Sequence, residues 1–197
     1  MFVDLKPGAL LAPVPAVLVS CARAGERPNL VTIAWAGTVN SEPPMCAVSV
    51  RKERFSHDII RDSGEFVINL VGEDQLRAAD LCGVKSGRDT DKFASCGLTP
   101  VSIDGFTAPA VGECPLHLAC RVRSVQELGS HDLFLGRIEK VGVRAEIMDD
   151  AGKLDFGKMK LIAYNHGVYC ALGQALGFFG YSVAAPDVLK RRMAELK

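Results

Sequence analysis

The sequence predicts a mainly β domain, an antiparallel barrel that is closed or nearly closed and carries a few short helices on its outside. Three observations predict it. Four short runs are rich in β-branched residues and bounded by Gly, Pro, Asn or Ser. Two longer runs alternate apolar and polar residues, as half-buried antiparallel strands do. The helical patches between them are few and short. Closure into a barrel removes the exposed edges that so many strands would otherwise present.

The elements follow in order. "AVLVSCA" (Ala16 to Ala22) and "NLVTIAWAG" (Asn29 to Gly37) read as strands joined through the hairpin-type "RAGERPN". "MCAVSV" (Met45 to Val50) and "EFVINLV" (Glu65 to Val71) are further strands. Between them, Ser56 is expected to cap a helix over "HDIIRDS" that stops at Gly64. Asp74 is expected to cap "QLRAADLC", with Gly83 closing it as the residue just past the helix. "DKFASC" reads as one or two turns ending at Gly97.

"LHLACRVRSVQEL" (Leu116 to Leu128) turns Leu118, Cys120 and Val122 inward and Ala119, Arg121 and Arg123 outward. "HDLFLGRIEKVGVRAEIM" (His131 to Met148) follows, and "DDAGK" turns the chain. "APDVLKRRMAELK" is an amphipathic terminal helix at about 185–197. No internal repeat or linker divides the chain, so 1–197 reads as a single domain.

Composition narrows the function. The 197 residues are 48% hydrophobic and 23% charged, with 23 basic and 23 acidic residues. Such a balance gives no field that seeks polyanions, so nucleic acid is not expected as a partner. The apolar N-terminus is broken by Pro7, Pro13 and Pro15 and lacks a basic leader. No run is long enough to span a bilayer, and a cytoplasmic protein is expected. The seven cysteines are scattered and read as reduced, mostly buried thiols.

Several motifs lead nowhere. "GKLDFGKM" has P-loop spacing, but Met159 stands where a Ser or Thr should ligate magnesium, and a hairpin is the expected reading. "GQALGFFG" lacks the dinucleotide glycine pattern. Cys114, His117 and Cys120 are three apart, which on a strand sends them to opposite faces, so no metal site is expected. No nucleophile elbow is present.

Two segments do point to a ligand. "SVRKERFSHDII" sets Arg51, Lys52 and Arg54 before Ser56 at a helix start. "GVKSGRDTDKF" (Gly83 to Phe93) sets Lys85, Ser86, Arg88 and Lys92 on a glycine-bearing loop whose amides can approach an anion closely. Each alone could be a solvated loop. Together they suggest a phosphate.

The ordered set Asn29-x-x-Thr32-x-x-Trp35, Ser41-x-Pro43-Pro44, Arg51-x-x-Arg54-x-Ser56, Phe66-x-x-Asn69, Asp91-Lys92-Phe93 and His131-x-x-x-x-Gly136 resembles the flavin reductase-like, FMN-binding split-barrel family, including flavoredoxin-type proteins. The resemblance runs from about Val14 to Tyr181. It implies a Greek-key split barrel holding one FMN per subunit beside a homodimer interface. It places the flavin ring along Thr32, Ile33, Ala34 and Trp35. The ribityl and pyrimidine region falls near Ser49, Val50 and Arg51, and the phosphate near Arg54, Ser56, His57, Ser86 and Lys92. Asn69, Cys82 and Gly83 fall on segments that line the pocket. Trp35 either packs on the flavin or fills the barrel, and His166 or Tyr169 either approaches the exposed ring face or packs structurally.

The activity implied is NAD(P)H-dependent oxidoreduction through FMN, ending on free flavin, an iron centre or a partner protein. A flavoredoxin-like carrier with little NAD(P)H activity and a non-redox ligand-binding barrel are the alternatives. The flavin supplies its own electronics, which accounts for the lack of a catalytic triad.

Overall fold

The computed structural model describes residues 1–196 of the chain. The first five strands are β1 (Val14–Pro15), β2 (Val17–Cys21), β3 (Asn29–Ile33), β4 (Ala36–Ser41) and β5 (Pro44–Arg51). Helix α1 (Phe55–Ser63), strand β6 (Glu65–Leu70) and helices α2 (Leu76–Val84) and α3 (Lys92–Cys96) follow. Short strands β7 (Pro100–Val101) and β8 (Ala110–Val111) precede the long hairpin of β9 (Leu116–Glu127) and β10 (His131–Val143). Strands β11 (Ile162–Asn165) and β12 (Val168–Ala171) and helix α4 (Pro186–Ala194) complete the described chain. Lys197, the last residue of the expected terminal helix, lies outside the described residues.

The main sheet runs β3-β2-β6-β9-β10-β5-β4, and every neighbouring pair is antiparallel. Its two edge strands, β3 and β4, are consecutive in the chain. The sequence reading made Asn29 to Gly37 one strand, but the chain bends at Ala34 and Trp35 and passes from one edge of the curled sheet to the other. There the Ser49 amide donates to the Trp35 carbonyl at 2.9 Å. The barrel is split at this place.

Inside the curl, Val19, Val31, Val48, Val50, Phe66 and Phe134 form the main core, each at most 2% exposed. Burying one such side chain contributes about 1.5–3 kcal/mol. The outer faces of β2 and β3 carry Leu18 and Leu30, which pack under α2 and α3 with Ala79, Cys82 and Phe93. That second layer makes β2 apolar on both sides and explains its unbroken "VLVSC". Alternation on β9 fails at Ala119, predicted outward but fully buried, because Ile103, Phe106 and Ala108 cover that face.

The helices differ from expectation at their starts. Arg54, not Ser56, is the N-cap of α1, and Ser56 is buried in its first turn. Gly64 ends that helix in the left-handed conformation at φ 67°, as predicted. A 3-10 turn at Glu73–Gln75 precedes α2, so Asp74 does not cap it. Gly83 lies within α2, and extended Lys85 closes it. A Cβ at Gly83 would stand 3.4 Å from Thr32 Cβ, in ordinary van der Waals contact, so α2 packs against β3 at this point. Asp91 caps α3 by accepting from the Ala94 amide at 3.1 Å.

"GKLDFGKM" forms a turn-rich loop whose Met159 is buried beside Leu116 and Ile147. Cys114 and Cys120 belong to different apolar clusters. All seven cysteines are free thiols. Among the described residues, no helix is long and apolar enough to cross a membrane.

Candidate functional site

Two cavities open along the split. The larger, about 440 Å³, is lined by Thr32 and Ile33 from β3, by Ala34 and Trp35 from the bend that follows it, by Ser49 and Arg51 from β5, and by Gly83. The smaller, about 230 Å³, is lined by Asn29, Ser56, Ser86, Gly87, Arg88 and Lys92. Arg54 and Val84 line both, so the two compartments adjoin along one cleft wall at those residues.

The larger compartment suits a flat ring. The edge of β3 away from β2 joins no strand of the main sheet, which leaves backbone donors and acceptors at the wall. Trp35 and His131 stand together on one side, their ring centroids 4.7 Å apart. Tyr164 and Tyr169 stand together on another, at 5.3 Å. Burial, aided by Arg51, lowers the His131 pKa, which favours a neutral imidazole.

The smaller compartment is built for an anion. Lys92 is only 3% exposed, and its Nζ donates to the carbonyls of Leu30 at 2.6 Å and Cys82 at 2.8 Å. An ammonium has three N–H groups, so one remains for the cavity. Burial lowers the Lys92 pKa, and the Arg54 charge lowers it further. An anion in the cavity would relieve both effects. Ser56 accepts from Asn29 Nδ2 at 2.7 Å and keeps its own O–H to give. The compartment thus sets buried donors beneath the half-exposed Arg54 guanidinium.

Eleven of the fifteen sequence-predicted residues line this cleft: Thr32, Ile33, Ala34, Trp35, Ser49, Arg51, Arg54, Ser56, Gly83, Ser86 and Lys92. Val50, His57, Asn69 and Cys82 line neither compartment. Strand alternation turns Val50 into the core between Ser49 and Arg51. The His57 ring points inward to Asp132. Asn69 ties β2 to β8 by donating to the Leu18 carbonyl and accepting from the Val111 amide. The Cys82 thiol packs in the outer core, while its carbonyl holds Lys92.

Asn29, Phe55 and His131 line the cleft without having been assigned to it from the sequence, whereas Arg88 comes from the expected anion loop and Tyr164 from the segment that carries His166 and Tyr169. Asn29 and His131 stood in the quoted motif set, and that was the available signal. His166 sits in the β11–β12 turn with a positive φ of 43°, and its neighbour Gly167 reaches the larger compartment together with Tyr169.

A curled antiparallel sheet, split where a ring-sized compartment meets an anion compartment, defines a split-barrel protein of the flavin-binding class. The chain belongs to the flavin reductase like domain family, whose profile it matches over residues 10–173. Flavoredoxin of Desulfovibrio vulgaris (Miyazaki F) is similar in structure, with a TM-score of 0.84 and 35% identity over 90% of this chain and 97% of that one.

Two curated relatives match over less of their length. A protein of unassigned function from Archaeoglobus fulgidus is 32% identical over 113 residues, 57% of this chain and 64% of that protein. NADH:riboflavin 5'-phosphate oxidoreductase of Streptomyces pristinaespiralis is 29% identical over 122 residues, 62% of this chain and 66% of its own.

Proposed function

We propose that this protein is an FMN-binding oxidoreductase that takes electrons from NAD(P)H and delivers them to free flavin, an iron centre or a partner protein. The observation that carries the reading is the adjacency of the two compartments, which share Arg54 and Val84 and set a ring-sized hollow beside buried donors suited to a phosphate. The similarity to an NADH:riboflavin 5'-phosphate oxidoreductase supports the choice of donor and of flavin.

The residues present fit FMN. Thr32 to Trp35, Ser49 and Arg51 would hold the ring and ribityl portion. Arg54, Ser56, Ser86 and Lys92 would hold the phosphate. FMN, when bound, supplies hydride acceptance and single-electron transfer by its own electronics. The chain orients it, neutralises the phosphate and keeps water from the walls. Charge-assisted hydrogen bonds of this kind contribute roughly 1.5–3 kcal/mol each. Trp35, 46% exposed, stands where a nicotinamide can approach the ring.

The structural similarity to a flavoredoxin favours a second reading, an electron carrier that scarcely reacts with NAD(P)H. Anaerobic addition of NADH or NADPH to the flavin-loaded protein separates the two. Prompt bleaching of the flavin band is expected. Retained colour with bleaching by a reduced redox protein supports the carrier, and a colourless protein that takes up no FMN refutes both.

Homodimerisation in the cytoplasm completes the reading. An apolar hollow beside β4, lined by Leu11, Val14, Trp35, Ala36, Ala47 and Leu133, is consistent with a second copy. Sedimentation of the loaded protein should give a dimer.

A further inference from the structure

A strap crosses the phosphate compartment. Arg88 projects from the loop between α2 and α3 to the β5–α1 connection. Its Nη1 donates to the Glu53 carbonyl at 3.3 Å, and its guanidinium carbon lies 5.4 Å from the centre of the Phe55 ring. The loop that carries Arg88 is itself fixed. The Arg88 amide donates to Ser86 Oγ at 3.2 Å, and Arg27 donates to the Gly87 carbonyl at 3.1 Å. A Cβ at Gly87 would stand 2.8 Å from Phe55 Cδ1 and closer still to Asn29, so this loop packs directly on the cavity wall.

Ser56 and Lys92 form the buried end of the compartment, 1% and 3% exposed. Arg88 is exposed and bridges its rim. A ligand tail that ends in a phosphomonoester can stop beneath the bridge. A tail that continues through a pyrophosphate must leave over it.

We propose that Arg88 is a specificity strap that admits flavins ending in a phosphomonoester and excludes those extended to a dinucleotide, a proposal that rests on the flavin reading of the cleft. The compartment of about 230 Å³ takes a phosphate and its ester carbon. FAD adds a second phosphate and an adenosine, and their exit displaces Arg88 from both the Glu53 carbonyl and the Phe55 face. FMN leaves both contacts in place. The monoester also places close to two negative charges on the single phosphate that sits by Arg54 and Lys92 near neutral pH, whereas each phosphate of the FAD pyrophosphate carries one.

The test titrates flavin-free protein with FMN, FAD and riboflavin, read by quenching of flavin fluorescence, in the wild type, Arg88→Ala and Arg88→Lys. The wild type is expected to bind FMN at least about tenfold tighter than FAD. In both variants the ratio of the two dissociation constants should narrow by about tenfold. Lysine keeps the charge but not the planar bridge, so it separates a strap from a simple phosphate contact.

Equal wild-type affinity for FMN and FAD overturns the strap. So does an Arg88→Lys variant with the wild-type ratio, or an Arg88→Ala variant weakened equally toward both flavins. Failure of the wild type to bind any of the three flavins is a different result, which overturns the flavin reading itself and the strap with it.

Discussion

His57 Nε2 lies 2.8 Å from Asp132 Oδ2, joining the first turn of α1 to the inner face of β10 beside Phe134. The other ring nitrogen lies 3.0 Å from Asp58, and Lys52 approaches Asp132 Oδ1 at 3.3 Å. Both residues of the pair are buried. The contact pins the helix start that presents Arg54 and Ser56 to the anion compartment, so His57 serves the site from behind.

Removing that pin should cost stability and loosen the site together. Asp132→Ala strands the His57 ring, and a loss of roughly 2 kcal/mol is expected, seen as a Tm lower by roughly 4–8 °C. Burial alone would raise the Asp132 pKa, but the His57 hydrogen bond and the nearby Lys52 ammonium carry it below the usual carboxylate value. A carboxyl depressed in the fold adds stability above its unfolded pKa, near about 4, and loses it as pH falls through the folded value. The Tm gap between wild type and Asp132→Asn should therefore shrink below about pH 4. A gap constant from pH 7 to pH 3 would contradict this account.

The phosphate donors should act jointly. Arg54→Ala combined with Lys92→Met, which keeps the lysine volume, is expected to raise the FMN dissociation constant by tenfold or more. Equilibrium dialysis with absorbance in the flavin band measures it. Unchanged flavin content in the double variant would remove Arg54 and Lys92 from the phosphate site.

Flavin affinity should also fall in alkali earlier than an ordinary lysine allows. The lowered Lys92 pKa means that the ammonium is lost below the usual value near about 10.4. The phosphate prefers the charged form, so binding takes up a proton once free Lys92 has lost its own. Titrations between about pH 7 and pH 10 should show weakening in the wild type and a flatter profile in Lys92→Met. Parallel profiles would assign the weakening to another group.

Gly136 gives a prediction confined to the core. It lies on β10 opposite Cys46, and a Cβ there would stand 2.6 Å from Phe66 Cζ and 3.0 Å from Cys120 Cβ. Gly136→Ala should therefore destabilise by about 1–3 kcal/mol through overpacking. Thermal unfolding followed by circular dichroism reads the loss. A Tm equal to wild type would mean that the Phe66 ring yields freely.

The sheet was legible because its signals are local. Alternation, β-branched runs and turn residues marked β2, β5, β6, β9 and β10, and Gly64 and Gly97 marked two helix ends. The bend at Ala34 and Trp35 was not legible, because "NLVTIAWAG" carries no breaker between Leu30 and Ala36. Nor was the buried face of Ala119, which depends on a loop distant in sequence from its strand.

The candidate site divided the same way. By itself the sequence determined which chemistry was on hand, namely two cationic, hydroxyl-bearing segments and an ordered motif set spread through a β-rich chain. Only the tertiary structure decided which of those groups share a cleft. It turned Ser49 and Arg51 outward and Val50 inward, drew Lys92 beneath β3, and sent His57 to Asp132 instead of the cavity. The physical reason is that composition and spacing fix the charges a chain carries, whereas curl, strand alternation and burial fix where those charges point.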